Sequence, residues 1–388
     1  MGSFMGMLLG DTLGAPFEFS SYRTGVEEMK DGFSEVAIWQ KHGYNRFQLK
    51  PGQWTDDASM GLCLADSLIS CNSFDGVDLR FRFHRWWTNG YCNAFGWDAQ
   101  RRKSYHGTHS VGLGGNISLS MYEFTHYKGD PSPVTKKGDR NTSGNGSVMR
   151  NAAVPLFYYK DITKALQYAD EQSKSTHQGD EAGECCQLMT YLIVSAMQDP
   201  QLTKDQLLLK LQNFQVVKSE DGKLVKGAPL KTVVQLCNSE GEWNWRSPDF
   251  RYEQKRAESQ PGYIGSYAMD AVAMSLHCLH TTSSFTDCLL KCANMRGDSD
   301  SVCSVAGQIA GAVYGFGAIP KNWIYTIFQW DRDMFTLLRA YKLFKHAPSF
   351  PVTPAQEPKT DDPPAAAEEA QNAQSAAAED SKKDDAME

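Results

Sequence analysis

No apolar run in this chain reaches the roughly 20 residues that a bilayer-crossing helix needs, and no signal peptide opens it. The Met1-Gly2-Ser3 start lacks the Ser or Thr that a myristoylation signal requires, because Gly6 stands in that place. Ten cysteines are present, but none form CxxC pairs, and several have apolar neighbours, as in Leu62-Cys63-Leu64 and Leu276-His277-Cys278. They read as reduced, mostly buried thiols, which excludes a disulfide framework. Positive charge is short as well. Lys and Arg number 39 against 46 Asp and Glu, for a formal net charge of −7 and a pI near 5.8. That balance offers no global attraction to nucleic acid or to an anionic membrane. The expectation is a soluble, cytoplasmic, monomeric protein with neither a membrane nor a nucleic acid as direct partner.

Stretches of alternating β-branched residues are scarce, so sheet proteins are disfavoured too. What is present is helical periodicity. Met60, Cys63, Leu64, Ser67 and Leu68 share one face at i, i+3, i+4, i+7 spacing. Val302, Val305, Ala306, Ile309, Ala310 and Val313 do the same, as do Met269, Val272, Ala273, Leu276 and Leu279. The spacing predicts an all-α domain. With 41% hydrophobic residues the chain can bury a large core. Residues 1–346 read as one globular body, with Gly-rich polar loops at 112–116, 129–146 and 238–262. Residues 347–388 are dominated by Pro, Ala, Glu, Asp and Lys and are expected to be a disordered tail.

Two acidic clusters lie far apart along the chain: Trp54-Thr55-Asp56-Asp57 and Gly297-Asp298-Ser299-Asp300-Ser301. Each sets carboxylates beside a hydroxyl and runs into an apolar helical pattern. Acidic residues at a helix N-terminus are common because they complement the macrodipole, and Thr55 is placed to act as an N-cap. The second cluster opens a helix lined by Ala306, Gly307, Ala310 and Gly311, small residues that suit a buried helix. Buried carboxylates repel one another unless a proton or a hard cation neutralises them. Mg²⁺ or Mn²⁺, which prefer oxygen ligands, would fit there if the fold joins the clusters.

Three further segments could contribute. Gly10 to Phe19 reads as a helix end turning into a loop that presents Glu18. Gly144 to Asn151 offers backbone N–H groups and Arg150, a possible cradle for phosphate. Ser175-Thr176-His177-Gln178 sets a histidine behind two hydroxyls.

The ordered series GDTLGAPFE, WTDD, GLGGN, GNGSVMR, STH and GDSDSV, from Gly10 to Val302, resembles the ADP-ribosylglycohydrolase family. That family includes ADP-ribosylarginine and ADP-ribosylserine hydrolases and the bacterial dinitrogenase reductase-activating glycohydrolase. The resemblance implies a compact, orthogonally packed all-α fold with a centre of two Mg²⁺ ions, Mn²⁺ being the alternative. It implies metal ligands Thr55, Asp56, Asp57, Asp298, Asp300 and Ser301, with Ser301 where the family often has threonine. Glu18 would handle the catalytic water or the leaving-group proton, with Asp56, Asp57 and Asp300 as further catalytic carboxylates. Asn116, the loop residues Asn145, Gly146, Ser147, Met149 and Arg150, then His177 and Tyr263 would contact the substrate.

The implied activity is metal-dependent release of ADP-ribose from a mono-ADP-ribosylated protein side chain. A hydrolase of a free ADP-ribose derivative or another small glycoside, and a silent ADP-ribose-binding relative, stand beside it. One departure bears on the acceptor. The middle loop, Ser110 to Asn116, carries no carboxylate, whereas arginine-specific relatives often place one shortly before the GN pair.

Overall fold

Four glycines recur at every fourth position from the start of the chain, Gly2, Gly6, Gly10 and Gly14, and so form one stripe along a helix spanning Gly2–Gly14. In the computed structural model, which describes residues 1–20, 28–40, 45–104, 110–126, 131–138, 141–250 and 264–347, that stripe lies against the Ser299–Tyr314 helix. The two helices run antiparallel. A methyl group on Gly2, Gly6, Gly10 or Gly14 would sit 2.0–2.2 Å from the backbone oxygen of Gly311, Gly307, Cys303 or Ser299, in that order. Gly307 and Gly311 return the relation toward Gly6 and Gly2. Backbone therefore meets backbone, and each glycine hydrogen points at an opposing carbonyl, a weak contact worth ~0.5–1 kcal/mol. Every residue of the first helix and of the stretch Ser299–Gly311 is buried. Burial on every side places this pair at the centre of the core.

The other helices pack around this pair. Ala268–Thr281, Phe285–Asn294 and Asp180–Gln198 contact Ser299–Tyr314. Asp56–Cys71, Phe335–Lys345 and Lys321–Phe328 contact the N-terminal helix. The predicted helical faces are realised: Met60, Cys63, Leu64, Ser67 and Leu68 are all buried. The all-α expectation holds for the body, with sixteen α-helices among the described residues. All ten cysteines are free thiols; Cys71 is exposed, Cys92 half-buried and the rest buried. No helix among the described residues is long and apolar enough to cross a membrane.

Three details differ from the sequence pattern. Val216–Glu220 and Lys223–Gly227 form an antiparallel hairpin. Its Asp221-Gly222 turn has both residues at positive φ, as the tight hairpin turn requires. Gln187 docks the hairpin onto the body by accepting from the Val217 N–H at 2.7 Å and donating to its carbonyl at 3.0 Å. Gly115 and Asn116 are not loop but the first turn of the Gly115–His126 helix. Within the third predicted loop, Trp243 and Trp245 are buried, and the Trp245 indole donates to the Leu236 carbonyl at 2.8 Å.

Chain contacts divide the protein into Met1–Pro348 and Ser349–Glu388. The second unit, the expected tail, lies outside the described residues. Ala347, counted with that tail in the sequence, is buried, and its carbonyl accepts from Lys160 Nζ at 3.1 Å.

A Gly6→Ala substitution would drive the two central helices apart. Loss of about 1–3 kcal/mol or more of folding free energy is expected in denaturant titration. Gly317→Ala, with nothing within 4 Å of the new methyl, should change it by less than ~0.5 kcal/mol.

Candidate active site

The glycine stripe sets the C-terminal end of the first helix beside the N-terminal end of the Ser299–Tyr314 helix. After a short 3₁₀ turn at Ala15–Phe17 the chain presents Glu18. Phe19 N–H donates to the Gly297 carbonyl and Gly297 N–H to that of Ser20, both at 3.0 Å, while Ser299 Oγ holds the Gly14 carbonyl at 2.8 Å. These bonds fix the register. As a result carboxylate oxygens of Glu18, Asp298 and Asp300 lie within 4.8 Å of one another.

The WTDD segment enters from the other side. Thr55 occupies the N-cap position of the Asp56–Cys71 helix, as the sequence predicts, but its hydroxyl caps nothing. Asp11 of the first helix does that work instead. It accepts from the Thr55 N–H with both oxygens at 3.0 Å, from Ala58 N–H at 2.9 Å and from Thr55 Oγ at 2.9 Å. Asp11 was not among the candidate residues. Its signal was a carboxylate inside an otherwise apolar helical run, Met7 to Leu13.

The Gly144–Asn151 loop closes a third side. Asn145 Nδ2 donates to Asp298 Oδ2 at 2.9 Å and to the Gly265 carbonyl at 2.8 Å, tying two loops to the acidic group. Met149 faces Ser301, with Ser301 Oγ 3.6 Å from its sulfur. Arg150 is placed differently from the phosphate contact suggested by the sequence. It is fully buried over the Phe83 ring and donates to the Gly146 carbonyl at 2.8 Å, to Gln172 Oε1 and O at 3.0 and 2.9 Å, and to Thr176 Oγ at 2.8 Å. Burial lowers its pKa to about 9, so it stays charged at neutral pH. It holds the loop from behind. Ser147, bonded to Ser173 Oγ at 2.8 Å, is likewise buried behind the loop.

Together these segments enclose a cavity of about 330 Å³. Its lining joins the acidic group Glu18, Asp56, Asp57, Asp298, Asp300 and Ser301 to Asn116, Asn145, Gly146, Met149 and His177. Thr55, Ser147 and Arg150 do not line it, and Tyr263 lies outside the described residues. Tyr267, four positions on, does line it. Its hydroxyl donates to Glu181, and its ring lies 6.0 Å from that of Trp243. The PGYIGSY segment carries two tyrosines, and the sequence reading names Tyr263 alone. The middle loop approaches through Gly112, whose φ of +88° only glycine adopts readily; a Cβ there would lie 1.8 Å from Asp56 Oδ1. The lining takes no carboxylate from that loop.

Electrostatics follow from crowding. Burial first, then mutual repulsion, raises Asp300 to about 7 and Asp11 to about 8, and pushes Glu18, Asp56, Asp57 and Asp298 well above the usual carboxylate range. Asp57 Oδ1 is buried and has no hydrogen-bond partner among the described residues. Such oxygens want protons or a cation, and the donor set is all oxygen, which fits a hard divalent ion. The cluster could therefore bind metal. His177 behaves oppositely: burial, then the charges of Arg150 and Lys174, lower it to about 3, so its ring is neutral. Nδ1 lies 2.8 Å from Thr176 Oγ, and the ring packs against Gly146.

The raised carboxylates give a signed pH dependence. Between about 4 and about 8 the folded metal-free protein binds more protons than the unfolded chain, whose aspartates titrate near 3.8. Stability in EDTA should therefore fall as pH rises through that window, read as a declining melting temperature. Excess Mg²⁺ should reverse most of the loss at pH 8.

Residues 1–348 match the family described as ADP-ribosylglycohydrolase. The chain is 27% identical to the ADP-ribosylarginine hydrolase Tri1 of Serratia proteamaculans over 340 residues, covering 85% of this chain and 75% of that protein. It is 24% identical to the ADP-ribosyl-dinitrogen-reductase glycohydrolase of Rhodospirillum rubrum, covering 82% and 88% of the two. Among solved structures, an ADP-ribosylglycohydrolase-related protein complex superposes with a TM-score of 0.63 at 26% identity. The match covers 89% of this chain and 97% of that one.

Proposed function

Because this chain belongs to the ADP-ribosylglycohydrolase family and is an enzyme of that class, we propose that it hydrolyses the bond between ADP-ribose and a modified protein side chain. The observation that carries this reading is the shared cavity. One lining holds Glu18, Asp298 and Asp300, whose oxygens lie within 4.8 Å, beside Asn145, Gly146 and His177. Arginine is the acceptor to test first, since the relative from Serratia is named for it.

Thr55, Asp56, Asp57, Asp298, Asp300 and Ser301 would hold two Mg²⁺ ions, or Mn²⁺ in their place. These would supply Lewis acidity toward water and the hydroxyls of the ribose. The Asn145–Gly146 backbone and the neutral His177 suit the diphosphate and its ribose, and Tyr267 offers an aromatic wall. Burial and the charges of Asp300, Asp298 and Asp56 raise Glu18 above the ordinary carboxylate range, the direction that favours a bound proton. As the bond from the anomeric carbon to the acceptor breaks, Glu18 gives that proton to the leaving atom. Water adds to the carbon and returns a proton to Glu18. The surrounding carboxylates stabilise the cationic character that develops on the sugar.

Release of free ADP-ribose from arginine-linked and serine-linked substrates, with Mg²⁺ and with EDTA, tests the reading. Metal-dependent release from either supports it and names the linkage. ADP-ribose bound without turnover of either would make the protein a binder, and turnover of free ADP-ribose derivatives alone would make it a small-molecule hydrolase. Asp56→Asn and Asp300→Asn should each lower kcat by about 100-fold or more while circular dichroism stays unchanged. A chain ending at residue 348 should keep its kcat, because the body that holds every lining residue ends at Pro348.

A further inference from the structure

Asp11 is fully buried, absent from the cavity lining, and committed to one turn of a different helix. At an ordinary helix start, a threonine at the N-cap uses its hydroxyl oxygen to accept from the second or third backbone N–H of the helix. Here the third such group, Ala58 N–H, goes to Asp11 Oδ2 at 2.9 Å, and the Thr55 hydroxyl makes no capping bond. The hydroxyl also has its single proton engaged. Asp11 Oδ1 lies 2.9 Å from Thr55 Oγ, within the normal O–H···O range, whereas the alternative acceptor, Asp57 Oδ2, is at 3.3 Å, beyond it.

We propose that Asp11 is a positioning residue. By capping the Asp56–Cys71 helix in place of Thr55 and taking the Thr55 proton, it leaves the Thr55 oxygen with both lone pairs available to a divalent cation. A hydroxyl has one proton and two acceptor sites, so fixing the proton fixes where the lone pairs are. Both Asp11 oxygens serve as acceptors here, Oδ1 from the Thr55 N–H and O–H and Oδ2 from the Thr55 and Ala58 N–H groups. In Asp11→Asn an amide N–H would face one of those donors. The Thr55 hydroxyl would then turn back to capping or toward Asp57. The inference rests on the metal-centre reading proposed above.

Mn²⁺ binding to the full chain, measured by titration with electron paramagnetic resonance, tests it on wild type, Asp11→Asn, Thr55→Val, Thr55→Ser and the Asp11→Asn/Thr55→Val pair. Asp11→Asn and Thr55→Val should each weaken Mn²⁺ by about 10- to 100-fold. The double variant should bind no more weakly than the weaker single, because both lose the same oxygen. Thr55→Ser, which keeps the hydroxyl, should bind like wild type.

Melting in EDTA is the control: a merely structural Asp11 would lower the melting temperature without moving Mn²⁺ affinity. Wild-type affinity in a folded Asp11→Asn, or additive losses in the double variant, would overturn the proposal. Should Asp11→Asn not fold, equal binding by Thr55→Val and Thr55→Ser would overturn it just as well. If wild type binds no Mn²⁺, the metal reading fails and this inference with it.

Discussion

Two helices in this protein pack backbone against backbone along a stripe of glycines, and the position of nearly every functional group depends on that contact. At Gly2, Gly6, Gly10 and Gly14 the nearest atoms of the opposing helix are backbone atoms of Gly311, Gly307, Cys303 and Ser299. Glycine costs a helix roughly 0.5–1 kcal/mol per residue relative to alanine, so four in one helix is a bias against its forming alone. Close packing and complete burial offset that cost. The return is geometric. Because the contact is antiparallel and tight, Asp11 in one helix and Glu18 just beyond it are held in one small volume with Asp298 and Asp300 at the start of the other.

That volume is electrostatically frustrated by construction. Six carboxylates are buried near one another, and each is raised above its ordinary range by desolvation and by its neighbours. Frustration of this kind persists only where the surrounding structure over-determines it. The determinants are visible: the pairing of Phe19 and Ser20 with Gly297, the Asn145 amide on Asp298, and the three donors that converge on Asp11. Arg150 is spent on Gly146, Gln172 and Thr176. A cation entering the cavity therefore meets oxygen ligands without a resident competitor from that loop.

Asp11 and Arg150 show the same principle from opposite directions. Each sits in a motif that also supplies a cavity residue, Glu18 in one case and Asn145 in the other, yet neither lines the cavity. Asp11 orders the start of the WTDD helix, and Arg150 fastens the loop that carries Asn145 and Gly146. Both are buried ionisable groups satisfied by several directed bonds, the condition under which such groups are tolerated in a core.

The sequence by itself determined the helical class, the buried thiols, the two acidic clusters and the order of motifs that marks the family. These are local properties: periodicity, neighbours and short spacings survive in one dimension. Asp56, Asp57, Asp298, Asp300, Ser301, Glu18 and His177 were legible for that reason, and all seven line one cavity. Only the tertiary structure decided which side chain in a motif faces the cavity and which faces the core. Arg150 turns inward because Gln172 and Thr176 wait behind it, Tyr267 reaches the wall, and the Thr55 hydroxyl is freed from capping by an aspartate 44 residues away. Such choices depend on partners distant along the chain. The hairpin at Asp221-Gly222 departs from the all-α reading although its turn is local, and the fourfold glycine stripe acquires a function only when a second helix is laid against it.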